Sequence, residues 1–332
     1  MKKIKPSSHP LLDALRFVSL AQHDEGPLIS THCIIEYESI TAFDGILAIG
    51  ARIQEDLIAC PNTKKFVLAL ERAGIEYQIV QVSPRRLLVR SEEFHAYVVC
   101  ADRAALPSLI PDAPVTVVDD RLLIALAKVA PLASAKGQTV VVASIQLSAG
   151  SVIATNREVI LEAWHGIELP TVLLPRVVVD ALTKSKKSLA SFGFSETTAT
   201  FYFTDQSWIR TQLYVERWPN VKALLDVPVN PRPVPPELFN AAAKVAPFSE
   251  NGDVYFHDGF VSSHPIFAES NSGSELKLSI EGYHASRSYR TANLALIAKH
   301  VITWDETSSD DATLFFGDNI RGAIKHVNYE KS

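Results

Sequence analysis

The side chains that can do chemistry are present, but their spacing does not match any catalytic or metal-binding pattern. Seven histidines are scattered without the short intervals of metal ligands, and we expect surface or core roles for them: His95, His165, His257, His264, His284, His300 and His326. No P-loop, GxGxxG, HExxH, GxSxG or paired CxxC motif occurs. The sequence therefore predicts no enzyme activity, no cofactor and no bound metal ion.

An acidic run near the C-terminus is the one further candidate for a metal site. Asp305 and Glu306 are followed by Asp310 and Asp311, a grouping that oxygen-seeking calcium could use. The run lacks the central glycine and the terminal glutamate of an EF-hand loop. We therefore expect a solvated turn.

Composition is that of an ordinary globular chain. Its 332 residues, 47% hydrophobic and 21% charged, are enough for two or three domains with separate cores. The three cysteines, Cys33, Cys60 and Cys100, form no close pair, which fits a reducing cytoplasm better than a disulfide framework. No signal peptide and no apolar run of about 20 residues is found, so no membrane association is expected.

Similar segments recur along the chain at a nearly constant spacing. The pentapeptide AKVAP occurs at 127–131 and again at 243–247. Three further matches lie 111 or 112 residues apart: 11–18 with 122–129, 39–44 with 151–156, and 106–109 with 218–221. Since independent coincidences would not share one spacing, we predict three diverged copies of one domain. Their ranges are 1–115, 116–226 and 227–332.

Each copy contains two apolar-striped helices separated by β-rich segments. The first helices are predicted at 10–21, 119–133 and 235–247, and the second at 62–73, 175–186 and 291–302. The β-rich segments between them suit antiparallel hairpins, giving two βαβββ units per copy. The sequence thus predicts an α+β fold rather than a doubly wound parallel sheet.

This pattern resembles the bacterial DNA sliding clamp, the beta subunit of replicative DNA polymerase III, over nearly the whole chain. The segments that carry the resemblance include LLDALRFVSLA, CPNTKKFVLALERA, SVIATNREVILEAW, LLPRVVVDALTK and WIRTQLYVERWPNVKALL. The family's short motifs correspond to Ala154-Thr155-Asn156, Leu174-Pro175-Arg176 and Arg217-Trp218-Pro219-Asn220. Each motif is weak alone, and their order and spacing make the resemblance specific.

The resemblance implies a head-to-tail homodimer that closes into a ring of six domains, with helices lining a central hole. Such a ring encircles double-stranded DNA without reading its sequence, tethers a DNA polymerase, and is opened by a separate clamp loader. The edges that would meet between the two copies contain Phe94 and Ala96 in the first domain, and Leu276 and Leu278 in the third.

The charges agree with a DNA channel. Thirteen basic residues fall on or directly after the six predicted helices, against six acidic ones, in a chain with a formal net charge of −5. The predicted channel residues are Arg16, Lys64, Lys65, Arg72, Arg121, Lys128, Lys136, Arg176, Lys184, Lys186, Lys187, Lys244 and Lys299.

The family also has an apolar pocket, between its second and third domains, that takes short peptides from replication proteins. The matching positions here are Thr155, Arg157, Val159, Ile160, Val227, Pro228, Val327, Asn328 and Tyr329. The family's Gly-His-Arg-Leu-like stretch is replaced by 157–160, and its apolar tail by a polar one, so we expect a more charged pocket. With the short chain, this departure suggests a phage- or plasmid-encoded member.

Two other interpretations stay open at this point. The chain has the features of a clamp-like regulatory or structural protein that binds replication partners without being loaded on DNA. An enzyme with an unrecognised active site is the third alternative, although no acid, base and nucleophile converge in the sequence.

Overall fold

The computed structural model describes residues 10–134, 136, 139–257, 259–265, 273, 275–277 and 287–327. The chain divides into two compact units. The first contains Met1–Leu123 and Val177–Val215, and the second contains Ile124–Arg176 and Glu216–Ser332. Among the described residues, no helix is long and apolar enough to cross a membrane.

The described residues form eight α-helices. They are α1 (Pro10–Val18), α2 (Leu28–Thr31), α3 (Thr63–Ala73), α4 (Asp120–Val129), α5 (Val140–Ala143), α6 (Arg176–Ser185), α7 (Pro236–Val245) and α8 (Thr291–Ile297). Six of these are the helices predicted from the sequence. Their first residues agree within one position, whereas α4 and α8 end four and five residues before the predicted ends.

The strands are short and number twenty-two in the described part of the chain. The first eleven are β1 (Ile34–Glu36), β2 (Ser39–Phe43), β3 (Leu47–Arg52), β4 (Gln78–Ser83), β5 (Arg86–Arg90), β6 (His95–Val99), β7 (Pro114–Val117), β8 (Ser144–Ser148), β9 (Ser151–Thr155), β10 (Val159–Trp164) and β11 (Val172–Pro175). The others are β12 (Leu189–Phe194), β13 (Thr198–Phe203), β14 (Trp208–Gln212), β15 (Arg232–Pro233), β16 (Asp253–His257), β17 (Phe260–Ser262), β18 (Glu275–Lys277), β19 (Arg287–Arg290), β20 (Thr303–Asp305), β21 (Ala312–Gly317) and β22 (Ile320–Lys325).

Local chemistry explains where the helices begin and end. The Asn62 side chain accepts a hydrogen bond from the Lys65 amide at 3.0 Å and caps α3. In the AKVAP segments, α4 and α7 end at the valine, and a 3₁₀ turn containing the proline follows. Proline stops each helix because it has no amide hydrogen to donate to the preceding turn.

The first unit contains a seven-stranded sheet and a three-stranded sheet. The strand orders are β1-β2-β3-β14-β13-β12-β7 and β4-β5-β6. Helix α1 packs against α3 and against β2 and β3. Leu11, Leu15, Phe66 and Leu70 are fully buried. The three cysteines are buried and unpaired, and burial raises the pKa of Cys33 to about 12.

The second unit contains an eight-stranded sheet and a four-stranded sheet. The strand orders are β11-β8-β9-β10-β22-β21-β20-β15 and β18-β17-β16-β19. Helix α7 packs against α8 and β17. Phe256, Tyr289 and Trp304 form an aromatic cluster with ring centroids 5.5 to 6.4 Å apart. All strand pairings described in both units are antiparallel, as predicted.

The spacing of 112 residues recurs in the strand register. In the first unit Thr41 pairs with Gly50, and in the second Ile153 pairs with Glu162. Strands β2 and β3 are thus the counterparts of β9 and β10, residue for residue. The segments that share a spacing in the sequence therefore share a position in their sheets.

Only part of the acidic run is the solvated turn that the sequence suggested, because Asp310 and Asp311 are exposed whereas Asp305 and Glu306 are buried. Asp305 is 2% exposed and Glu306 is 9% exposed. The Asp305 carboxylate accepts hydrogen bonds from the amides of Asn230 and Thr307 at 2.6 and 2.8 Å. Although burial opposes ionisation, bonds from Ser308, Asn230 and Thr307 lower the pKa of Asp305 far below its usual value. The burial of Asp305 could not be predicted from the sequence, because its hydrogen-bond partner Asn230 lies 75 residues away.

Candidate nucleic-acid and peptide interfaces

In the first unit, the predicted channel residues of α3 lie on its exposed face. Lys65 and Arg72 are exposed and make no ion pair within the described residues. They are seven residues apart, which places them on one side of the helix. Lys184 and Lys186, at the end of α6, are also exposed and free of ion pairs in the described part of the chain. These four side chains can meet phosphates.

Four predicted channel cations already have acidic partners. Arg16 pairs with Glu71 at 2.8 Å, Lys64 with Asp24 at 2.8 Å, and Arg121 with Asp119 at 2.8 Å. The ammonium of Lys187 pairs with Asp205 and lies 4.1 Å from the centre of the Phe17 ring. Because a neutralised cation attracts phosphate less, the sequence count overstates the positive charge of the helices.

In the second unit, two cations converge near the C-terminal end of α8. Lys128 donates a hydrogen bond to the Asp318 carbonyl oxygen at 2.6 Å, and Lys299 is exposed. Burial, and then the charges of Lys299 and Lys128, lower the pKa of His300 below its ordinary value. Both lysines thus oppose protonation of one imidazole, although they are 171 positions apart in the sequence.

The remaining cations of the second unit are spread out. Arg176 donates to the Ala133 carbonyl oxygen at 3.1 Å. Lys136 and Lys244 are exposed and unpaired within the described residues. The unit thus offers separate basic side chains rather than a built binding pocket, which suits diffuse contact with a phosphate backbone.

Within the described residues, the two strands at which the sequence places an interface between copies pair on one side only. Strand β6 pairs with β5 alone in its sheet, and β18 pairs with β17 alone. Phe94 and Ala96 are half-buried, whereas Tyr97 and Val99 of the same predicted edge are 59% and 66% exposed. Leu276 belongs to β18, and Leu278 lies outside the described residues.

A small pocket of about 190 Å³ lies beside the β9–β10 turn in the second unit. It is lined by Glu158, Arg290, Asn293, Lys325, His326 and Val327, and we call it the Glu158 pocket. Asn293 donates to the Glu158 carboxylate at 2.6 Å, and Arg290 lies 3.4 Å from it. Three of the six lining residues are of charged types, Glu158, Arg290 and Lys325, so charged groups and apolar surface share the lining.

The predicted peptide-site residues are only partly brought together. Val327 lines the Glu158 pocket, and Arg157 lies in the adjoining turn with a φ of 77°. Val159 is fully buried, and the Thr155 hydroxyl donates to the Val159 carbonyl oxygen at 2.7 Å, so neither presents a free side chain.

The other predicted peptide-site residues lie elsewhere or cannot be placed. Ile160 packs on a separate cluster with Leu225 and Leu314. Val227 and Pro228 are exposed. Asn328 and Tyr329 lie outside the described residues.

A buried ion network on the eight-stranded sheet was not predicted. Glu162 is 1% exposed and lies 2.7 Å from Arg321 and 3.1 Å from Lys222. Arg321 also pairs with Asp226 at 2.7 Å, and Ser151 donates to Glu162 at 2.7 Å. Burial alone would raise the pKa of Glu162, but the bonds from Ser151, Arg321 and Lys222 outweigh burial and lower it. We call these five residues the Glu162 network.

The geometry invites comparison with known proteins. No protein-family profile and no curated sequence matches the chain. Solved structures do match it. The beta subunit of DNA polymerase from Streptococcus pyogenes is similar with a TM-score of 0.81 at 16% identity, covering 96% of this chain and 98% of that one.

Two further structures give the same result. The DNA polymerase sliding clamp from Bacillus subtilis is similar with a TM-score of 0.80 at 14% identity, covering 96% of this chain and 97% of that one. The Helicobacter pylori beta clamp bound to a DNA ligase peptide is similar with a TM-score of 0.76 at 16% identity, covering 96% and 98%. The chain has the sliding-clamp fold. The fold predicted from the sequence is confirmed over nearly the full length.

Proposed function

We propose that this clamp-fold chain is a DNA sliding clamp, a processivity factor without catalytic activity or cofactor. Two copies would close head to tail into a ring around double-stranded DNA. The ring would tether a DNA polymerase after a separate clamp loader has placed it. Each copy would supply three domains, 1–115, 116–226 and 227–332. We also propose that a phage or plasmid encodes the chain and that it acts in the cytoplasm of the host.

The observation that carries the proposal is the pair of open edges, β6 and β18. In the seven-stranded sheet β3 joins β14, and in the eight-stranded sheet β10 joins β22. By position in the repeat, β18 corresponds to β3 and β10, and β6 corresponds to β14 and β22. A third sheet of the same kind forms if β18 of one copy pairs with β6 of another. Because the two edges differ, the contact would be heterologous, and two copies would close into a ring if each supplies one edge to the other.

The backbone of β6 has donors available for such pairing. The Ser91 amide donates to the Phe94 carbonyl oxygen at 2.7 Å. Hydrogen-bonded and non-bonded pairs alternate along an antiparallel ladder. The amides of His95 and Tyr97 therefore point away from β5. An unpaired edge of this kind is a template for another strand.

Contact with DNA would come from the cations without acidic partners. They are Lys65, Arg72, Lys128, Lys136, Lys184, Lys186, Lys244 and Lys299. Flexible cations interact with phosphates at any position along a duplex. Base contacts, worth about 1–3 kcal/mol each, would hold the protein at particular sequences and prevent sliding.

A partner peptide would bind at the Glu158 pocket. A related fold, the Helicobacter pylori beta clamp, is named as bound to a DNA ligase peptide. Glu158, Arg290 and Lys325 would favour a peptide with charged side chains over a wholly apolar one. Polymerase and loader segments are the occupants that the proposed function requires.

Threading onto DNA tests the proposal without a loader. A duplex fixed to a bead at one end is incubated with the protein, and its free end is then blocked with a bulky antibody before a wash in high salt. A closed ring is retained only when the end is blocked, because topology and not affinity holds it. Equal retention on blocked and open duplexes would contradict encirclement.

One observation favours the alternative, a clamp-like protein that binds partners without being loaded on DNA. Acidic partners neutralise four of the thirteen predicted channel cations, Arg16, Lys64, Arg121 and Lys187. If the protein forms a ring in solution yet is never retained on blocked duplexes, this alternative replaces the processivity factor.

A further inference from the structure

A groove of about 530 Å³ opens on the seven-stranded sheet, and none of its lining residues belongs to the surfaces assigned above. Strands β2, β3, β12, β13 and β14 form its floor, and the segment 109–111 forms one side. Trp208 and Tyr202 supply aromatic surface, and Ser39, Thr41 and Ser191 supply hydroxyls. Among the described residues that line it, Arg52 is the only charged one. We call it the Trp208 groove.

The same place on the eight-stranded sheet is covered by the chain itself. There Val221–Leu224 forms a 3₁₀ turn that ends at Leu225, and Val221 is 8% exposed and Leu225 is 3% exposed. Leu225 packs with Leu314 and Ala323. Lys222 reaches Glu162 at 3.1 Å. The side chain of Leu225 and the ammonium of Lys222 thus cover this surface.

Three residue differences account for the open groove. In the first unit Thr41 pairs with Gly50, and the equivalent pair in the second unit is Ile153 with Glu162. A glycine therefore stands where the second unit has a buried carboxylate. Trp208 pairs with Gly50 where Arg321 pairs with Glu162.

The indole of Trp208 lies directly over Gly50, because a Cβ built on that glycine would be 2.3 Å from it. The first unit therefore replaces an ion pair with an aromatic floor.

The first linker also takes a different path from the second. Thr198 and Thr200 donate to the Asp112 carboxylate at 2.7 and 2.8 Å and hold the linker on β13. Ile110 is 79% exposed instead of packing on the sheet as Leu225 does. The linker therefore borders the groove and leaves its floor uncovered.

We infer that the Trp208 groove docks a short segment of a partner protein that carries an apolar side chain next to a carboxylate. The covered sheet shows what such a surface accepts, namely a turn with one leucine and one charge. The charge must be reversed here, because Gly50 stands in the place of the Glu162 carboxylate, and the guanidinium of Arg52, two residues along β3, is the only charge among the described lining residues. Arg52 is exposed and has no ion pair within the described residues, so it is free for this role. The inference requires neither a ring nor DNA.

The chain's own covering segment provides the probe. Residues 221–226 read VKALLD, and a labelled peptide VEALLD replaces its lysine by glutamate. Fluorescence anisotropy with the full chain should give saturable binding of VEALLD, on the order of tenfold tighter than VKALLD. Arg52→Glu should weaken VEALLD by a similar factor and strengthen VKALLD, while circular dichroism shows an unchanged fold.

A matched variant distinguishes this groove from the Glu158 pocket. Lys325→Glu reverses a charge in that pocket and should leave the affinity for VEALLD unchanged. Three results would overturn the inference: no saturable binding, equal affinity for the two peptides, or an equal loss in the Lys325 and Arg52 variants. Since no DNA is present, failure of the processivity proposal has no effect on this measurement.

Discussion

The seven-stranded and eight-stranded sheets hold equivalent strands in one register, yet they use different chemistry at the same place. One has Gly50 beneath Trp208, and the other has Glu162 paired with Arg321. The first leaves a groove, and the second is closed by Lys222 and Leu225. A slip of one residue would move every side chain of a strand to the other face of the sheet, so both copies keep one register. The outward residues were free to diverge, and they decide whether a linker lies on the sheet.

Glu162→Gln is expected to cause the largest loss of stability among these variants. The change leaves Arg321 and Lys222 without their shared anion, which should cost about 3 kcal/mol, toward the low end for a buried pair because both cations are partly solvated. Hydrogen exchange of the β10 and β22 amides measures the loss locally. A variant as protected as the parent would show that the network contributes no stability.

The Glu162 carboxyl also makes the stability of the folded protein depend on pH. Its pKa in the folded protein is below the ordinary value of 4.5, so its contribution to stability is present above pH 4.5 and is lost as pH falls through the folded pKa. The parent should therefore lose protection in β10 below about pH 4.5. Glu162→Gln should lack that component, and an identical acid profile in both proteins would contradict it.

Leu225→Ala should cause the next largest loss of stability. Removing a side chain that is 3% exposed should cost about 2–3 kcal/mol, and the loss should be local to the linker. The amides of Leu225 and Asp226, which donate to the Lys222 carbonyl oxygen at 2.8 and 3.1 Å, should lose protection from exchange. Leu224→Ala is the control, because Leu224 is 61% exposed. Equal loss in both variants would mean that packing does not hold the segment.

Gly50→Ala should destabilise the first unit by about 1–3 kcal/mol, because the new methyl group must displace the Trp208 indole. The test is a double-mutant cycle with Trp208→Ala, read from urea unfolding curves. The cost of the alanine should fall to a few tenths of a kcal/mol once the indole is gone. An unchanged cost would show that the glycine is needed for another reason.

The smallest effect is expected for Lys222→Ala, below about 1 kcal/mol. The lysine side chain is 35% exposed, and Glu162 retains Arg321 and Ser151 after the change. The β10 amides should keep their exchange protection in this variant. A loss as large as that of Glu162→Gln would show that Lys222, and not Arg321, stabilises the carboxylate.

Much of the fold could be predicted because its signals are local. Apolar stripes, proline at helix ends and a constant repeat spacing depend on neighbouring residues or on simple counting. The ion pairs could not be predicted in this way. Glu162 meets Arg321 across 159 positions, and Lys187 meets Asp205 across a hairpin. Val159 was assigned to a pocket by its motif, but its side chain in β10 is fully buried.

The molar mass of the protein in solution tests the ring most directly. Light scattering on the purified chain should give twice 36.4 kDa. Tyr97→Pro, which removes an outward amide of β6 without breaking its bonds to β5, should give the mass of one chain. Tyr97→Ala, which keeps that amide, should remain a dimer. A parent protein that runs at 36.4 kDa at micromolar concentration would contradict the closed ring.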